Sequence, residues 1–112
     1  MSAVTTHVLD TSRGRPCTDL KIELHMKSGE NWKFVGSGTT DANGRCGALL
    51  GEAPFAAGTY RLTFHAGAYF KAQHAETFYS EIPVIFEVRD AHAHYHVPLL
   101  ISPFGYSTYR GS

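Results

Sequence analysis

Seven histidines in a chain of 112 residues are the first feature that could do chemistry. Three of them alternate in His92-Ala93-His94-Tyr95-His96. On an extended strand, successive side chains take opposite faces, so these three imidazoles would share one face. They would stand about 7 Å apart, because each residue advances a strand by roughly 3.3 Å. That is wide for three ligands on one ion, although an adjacent pair could share an ion with a residue from elsewhere. The reading adopted assigns no metal and treats His92 and His94 as surface or turn side chains. His96 precedes the apolar run Val97-Pro98-Leu99-Leu100-Ile101. A histidine opening a buried strand must have its nitrogens satisfied. From that segment alone, structural burial outranks catalysis. His7, between Thr6 and Val8, carries the same ambiguity.

Arg45 follows the turn pair Asn43-Gly44, where it is either a surface charge or a fixed anion clamp. The stretch Tyr109-Arg110-Gly111-Ser112 is unusual for a chain end, since termini generally fray. A structured end would bring an arginine, a hydroxyl and a carboxylate together, a combination suited to a planar polar molecule. Cys17 and Cys46 allow at most one bridge and form no C-x-x-C pair, so they read as two free thiols.

Short strands must position these residues. Val4 to Leu9 reads as a first strand, stopped by the turn formers from Asp10 to Pro16. Leu20, Ile22, Leu24 and Met26 alternate with Lys21, Glu23, His25 and Lys27, which is a half-buried strand. Ser28-Gly29-Glu30-Asn31 turns it into a partner over Trp32 to Val35. Thr40-Asp41-Ala42-Asn43-Gly44 forms a turn because Asn-Gly takes positive φ cheaply. Further strands are expected over Thr59 to His65, Val84 to Val88, residues 92 to 101, and Tyr106 to Arg110. The one helix expected is short, Ala68 to Ala75. About eight strands and one helix imply an all-β, antiparallel sandwich of two sheets in a single domain, residues 1–112.

Ten basic residues balance ten acidic ones. A basic surplus that would favour nucleic acid or an anionic membrane is missing. Met1-Ser2-Ala3-Val4 opens without a charged start or an apolar run, and no stretch approaches a membrane span. The expected location is the cytoplasm.

Three blocks then match a known pattern. They are Thr6-His7-Val8-Leu9-Asp10 with Gly14-Arg15-Pro16; Thr40-Asp41 with Gly44-Arg45; and His94 to Leu100 running on to Tyr106-Ser107-Thr108-Tyr109-Arg110-Gly111-Ser112. Across essentially its whole length the chain resembles the 5-hydroxyisourate hydrolases, the transthyretin-like enzymes of urate breakdown. The tail Tyr109 to Ser112 is the most specific part, because it separates these hydrolases from transthyretin itself. The resemblance implies a homotetramer, a dimer of dimers, with active sites in the channel where the dimers meet. It implies catalytic roles for His7, Arg45, His96 and Ser112, with Tyr109, Arg110 and Gly111 shaping the substrate pocket. The implied reaction hydrolyses the N1–C6 bond of 5-hydroxyisourate, a step in purine catabolism, without a cofactor. A rival reading keeps the fold but makes the chain a carrier of small aromatic ligands; fold alone does not separate the two.

Overall fold

The computed structural model describes residues 3–51 and 54–112. Met1 and Ser2, part of the N-terminal stretch read above, lie outside them. Two sheets face each other. One is built from β1 (Val4–Asp10), β2 (Arg15–Pro16), β5 (Arg45–Cys46), β8 (Tyr95–Ser102) and β9 (Gly105–Thr108), in the order β2-β1-β8-β9 with β5 also pairing β1. The other runs β4-β3-β6-β7, from β3 (Lys21–Ser28), β4 (Asn31–Thr39), β6 (Gly58–Phe64) and β7 (Ile82–Val88).

Alternation decides which faces meet. Val4, Thr6, Val8 and Asp10 are buried while Thr5, His7 and Leu9 point outward. From the second sheet, Ile22, Leu24, Leu62 and Phe64 are buried completely. Each such aliphatic side chain contributes about 1.5–3 kcal/mol of transfer free energy. Asp10, wholly buried, is satisfied inside this core: it accepts from Tyr69 Oη at 2.9 Å and from the Ser12 N–H at 3.0 Å. Both thiols are free and buried, and burial pushes Cys17 up to about 12.

Several expectations require correction. The helix α1 runs Ala66–Lys71, earlier than 68–75. Its start is set by a distant contact: the Gly67 N–H donates to Ser80 O at 2.8 Å, and a Cβ at Gly67 would meet that same oxygen at 2.8 Å. Its end is set by His74, which takes φ 58. Strand β4 extends to Thr39, four residues past the expected Val35, because β3 continues to pair with it as far as Lys21↔Thr39. Strand β8 starts at Tyr95, not at residue 92. Asp90 draws the preceding residues into a turn, its Oδ1 accepting from the His92 N–H at 2.8 Å. Strand β9 is Gly105–Thr108 and stops short of Arg110. Finally, the sandwich contains one parallel pair. β1 and β8 run in the same direction, with Thr5↔His96 and His7↔Pro98 as partners.

Candidate active site

Three strands of the first sheet converge on one outward face. β1 supplies His7, β5 supplies Arg45 as its direct cross-strand partner, and β8 supplies His96 one strand to the other side. The turn before β5 holds Arg45 in place. Asp41 Oδ1 accepts the N–H groups of Asn43 at 2.8 Å and Arg45 at 3.0 Å. Those hydrogen bonds hold the Asp41 carboxyl below the ordinary carboxylate range. Gly44 lies at φ +77, and a Cβ there would meet Val8 O at 2.4 Å. Glycine therefore permits both the turn and the close approach of β5 to β1. The block Thr40-Asp41…Gly44-Arg45 is thus a device for setting an arginine beside His7.

His7 Nε2 lies 2.9 Å from Asn43 O. A carbonyl only accepts, so Nε2 carries the proton and Nδ1 of the neutral ring keeps a lone pair. His96 Nδ1 lies 2.8 Å from Thr5 Oγ1, and the same oxygen lies 3.2 Å from His94 Nε2. His96 is held below the ordinary histidine value, first by burial and then by the positive charge of Arg45. At neutral pH it is an uncharged imidazole and therefore competent to take a proton.

The tail completes the face. Gly111 N–H donates to His96 O at 2.8 Å, and Gly111 pairs His96 in an antiparallel bridge. Pro98 lacks the N–H that would continue the ladder towards Thr108, which explains the gap between this bridge and β9. The imidazole lies directly over Gly111, where an added Cβ would meet His96 Cδ2 at 2.6 Å. Ser112 is thereby laid beside His96. Two shallow grooves meet there: one of about 330 Å³ between Thr5, Arg45, His94 and Ser112, and one of about 200 Å³ between His7, Tyr109 and Ser112.

The structure thus brings His7, Arg45, His96, Gly111, Ser112 and Tyr109 to one face. Arg110 borders a separate groove of about 230 Å³, which His96 and Tyr109 also line. The register sets Arg110 opposite Val97, and its guanidinium stands 4.8 Å from the Tyr95 ring centre. His92 is exposed in the turn and shares no strand with His96. Among the described residues, no three His, Cys, Asp or Glu side chains are grouped to hold a metal ion. Sequence reasoning missed Thr5, although period two alone puts it on the face of His7. It also missed the Asn43 carbonyl, for which no side-chain signal exists.

A two-sheet sandwich carrying this face defines a class. Residues 4–111 match the HIUase/Transthyretin family model, and the chain belongs to that family. It is 48% identical to 5-hydroxyisourate hydrolase 2 of Rhizobium meliloti, over 97% of this chain and 95% of that one. Among solved structures, the 5-hydroxyisourate hydrolase of Klebsiella pneumoniae superposes with a TM-score of 0.87 at 35% identity, covering 100% of both chains. Sea bream transthyretin in complex with thyroxine superposes with a TM-score of 0.91 at 32% identity, over 97% of this chain and 94% of that one. The fold is common to both kinds of relative.

Proposed function

We propose that this chain is a 5-hydroxyisourate hydrolase, opening the N1–C6 bond to give 2-oxo-4-hydroxy-4-carboxy-5-ureidoimidazoline. The observation that carries the reading is the gathering of His96, Arg45 and His7 on one open face by the pairing of three strands. The 48% identity to a named hydrolase supports it. His96 Nε2 takes a proton from water as the oxygen bonds to C6. His7 Nδ1 orients that water through its lone pair. Arg45 stabilises the oxyanion that develops on the carbonyl, a contribution typically worth about 10²–10³ in rate. Collapse breaks C6–N1, and the proton held by His96 passes to the departing nitrogen. Ser112 and Tyr109 border the substrate, and Gly111 keeps Ser112 close to His96.

The reading extends to assembly. Both grooves are open, and water exclusion would strengthen the electrostatic contribution of Arg45. A homotetramer, a dimer of dimers, closes them by setting two such faces together. Support comes from the sheet edges β7 and β9 and the tail beyond β9, where Ile85, Tyr106 and Tyr109 are exposed at 59%, 42% and 59%. An aqueous scattering mass about four times the 12.3 kDa chain is expected, and a monomer would remove the channel. Two buried free thiols fit a reducing cytoplasm. No nucleic-acid or membrane partner is assigned.

The test is ultraviolet spectroscopy of 5-hydroxyisourate formed from urate by urate oxidase, with and without the protein. Faster decay is expected with the wild type, and at least a hundredfold slower turnover with His7→Ala or His96→Ala (roughly the general-base contribution). Decay at the spontaneous rate would sink the reading in favour of a carrier. A carrier of apolar ligands, however, gains nothing from charge and imidazole on its binding face.

A further inference from the structure

Thr5 Oγ1 stands between two imidazoles, 2.8 Å from His96 Nδ1 and 3.2 Å from His94 Nε2. The parallel register makes this meeting obligatory, because Thr5 and His96 are direct partners across β1 and β8. The adjacent Thr6 differs. Its hydroxyl points inward and donates to Val97 O at 2.5 Å, as any buried strand threonine must.

One hydroxyl carries one proton, so Thr5 donates to one ring and accepts from the other. Two arrangements satisfy all three groups. In the first, His96 Nδ1–H donates to Thr5, Thr5 donates to His94 Nε2, and His96 Nε2 is left with its lone pair. In the second, every bond reverses, His96 Nε2 carries a proton, and it has no lone pair for water. Proton uptake at Nε2 yields an imidazolium whose Nδ1–H must donate to Thr5. The first arrangement passes through that step unchanged, whereas the second must reverse both hydrogen bonds. Among the described residues, Nε2 makes no hydrogen bond of its own and is not among the buried atoms left without a partner.

We infer that Thr5 and His94 are positioning residues that hold His96 as the Nδ1–H tautomer, with Nε2 presented to the attacking water. The inference rests on the hydrogen-bond geometry for the chain that Thr5 makes between the two rings, and on the hydrolase reading for the choice between its two directions. The other groups about His96 are Arg45 from β5, His7 from β1, Ser112, and the backbone carbonyl of Thr5, an acceptor that also favours an N–H on the ring.

The experiment uses the full chain labelled with ¹⁵N-histidine, together with steady-state kinetics on 5-hydroxyisourate. In the wild type at pH 8, His96 should show a protonated Nδ1 and an unprotonated Nε2. Thr5→Val should move the ring towards the Nε2–H form and lower kcat about tenfold at unchanged KM, as expected for loss of a correctly protonated base. Thr5→Ser should restore both, and His94→Ala should show the same tautomer change in weaker form. A wild-type His96 in the Nε2–H form overturns the inference even if hydrolysis is fast. So does a Thr5→Val protein with wild-type kcat. A wild-type protein that fails to hydrolyse the substrate overturns the functional reading instead, while the nitrogen resonances still decide the tautomer.

Discussion

Replacing Gly111 with alanine should damage the site while leaving the fold intact. An added Cβ would meet His96 Cδ2 at 2.6 Å and Pro98 Cγ at 3.1 Å. Ordinary van der Waals contact begins at 3.4 Å, so something must give by about 0.8 Å. The imidazole has little room to retreat, since Thr5 Oγ1 is already 2.8 Å from Nδ1 on its other side. The remaining course is for the tail to lift, which breaks the Gly111 N–H bond to His96 O and carries Ser112 away. A displacement near 1 Å can cost a hundredfold in rate. The expected fall in kcat/KM is therefore about a hundredfold, or about 3 kcal/mol of transition-state stabilisation. The assay is the decay of 5-hydroxyisourate absorbance, with urea unfolding as the check on folding. Gly105→Ala on the same segment is the control, because its Cβ would meet nothing nearer than Ser102 Oγ at 3.7 Å. Wild-type kcat/KM in Gly111→Ala would refute the argument that the tail and His96 share a tightly filled space.

Arg45→Ala should lower kcat by about 10²–10³ through loss of oxyanion stabilisation. It should also move the acid limb of kcat/KM to higher pH, because removing the guanidinium lets His96 rise towards its ordinary value near 6.5. In the wild type that limb should lie below about pH 6.5, where His96 gains its proton. Because the folded ring resists a proton that the unfolded chain accepts, its contribution to stability is present above about pH 6.5 and fades as pH falls. Asp41→Ala should unfasten the turn that carries Arg45 and lower kcat/KM, while Asp41→Asn, which keeps the Oδ1 acceptor, should restore most of it; equal activity in the two would exclude this role. Tyr69→Phe should cost about 1–3 kcal/mol in urea unfolding by leaving buried Asp10 Oδ2 without its donor, with turnover unchanged.

The local code of this chain was legible where its physics is local. Alternation over Leu20, Ile22, Leu24 and Met26 is enough to define β3, since period two alone separates a core face from a solvent face. Asn43-Gly44 announced its turn because positive φ at Gly44 is a property of that residue. The candidate residues themselves came from motif resemblance, for neither composition nor spacing distinguishes a catalytic histidine from a buried one.

Tertiary structure decided everything that depends on partners remote in sequence. The helix start at Ala66, two residues before the expected Ala68, follows from Gly67 meeting Ser80. The parallel pairing of β1 with β8 sets Thr5 against His96, a contact spanning 91 positions that no window of sequence contains. The family resemblance sets Arg110 beside Tyr109 and Gly111 around one pocket. The Gly111↔His96 register places those two on the face of His7 and His96 and turns the Arg110 guanidinium onto the Tyr95 ring, beside a neighbouring groove that His96 also lines. A strand's period is written in its own residues, but its register and neighbours are chosen by which faces bury together, and that choice belongs to the whole chain.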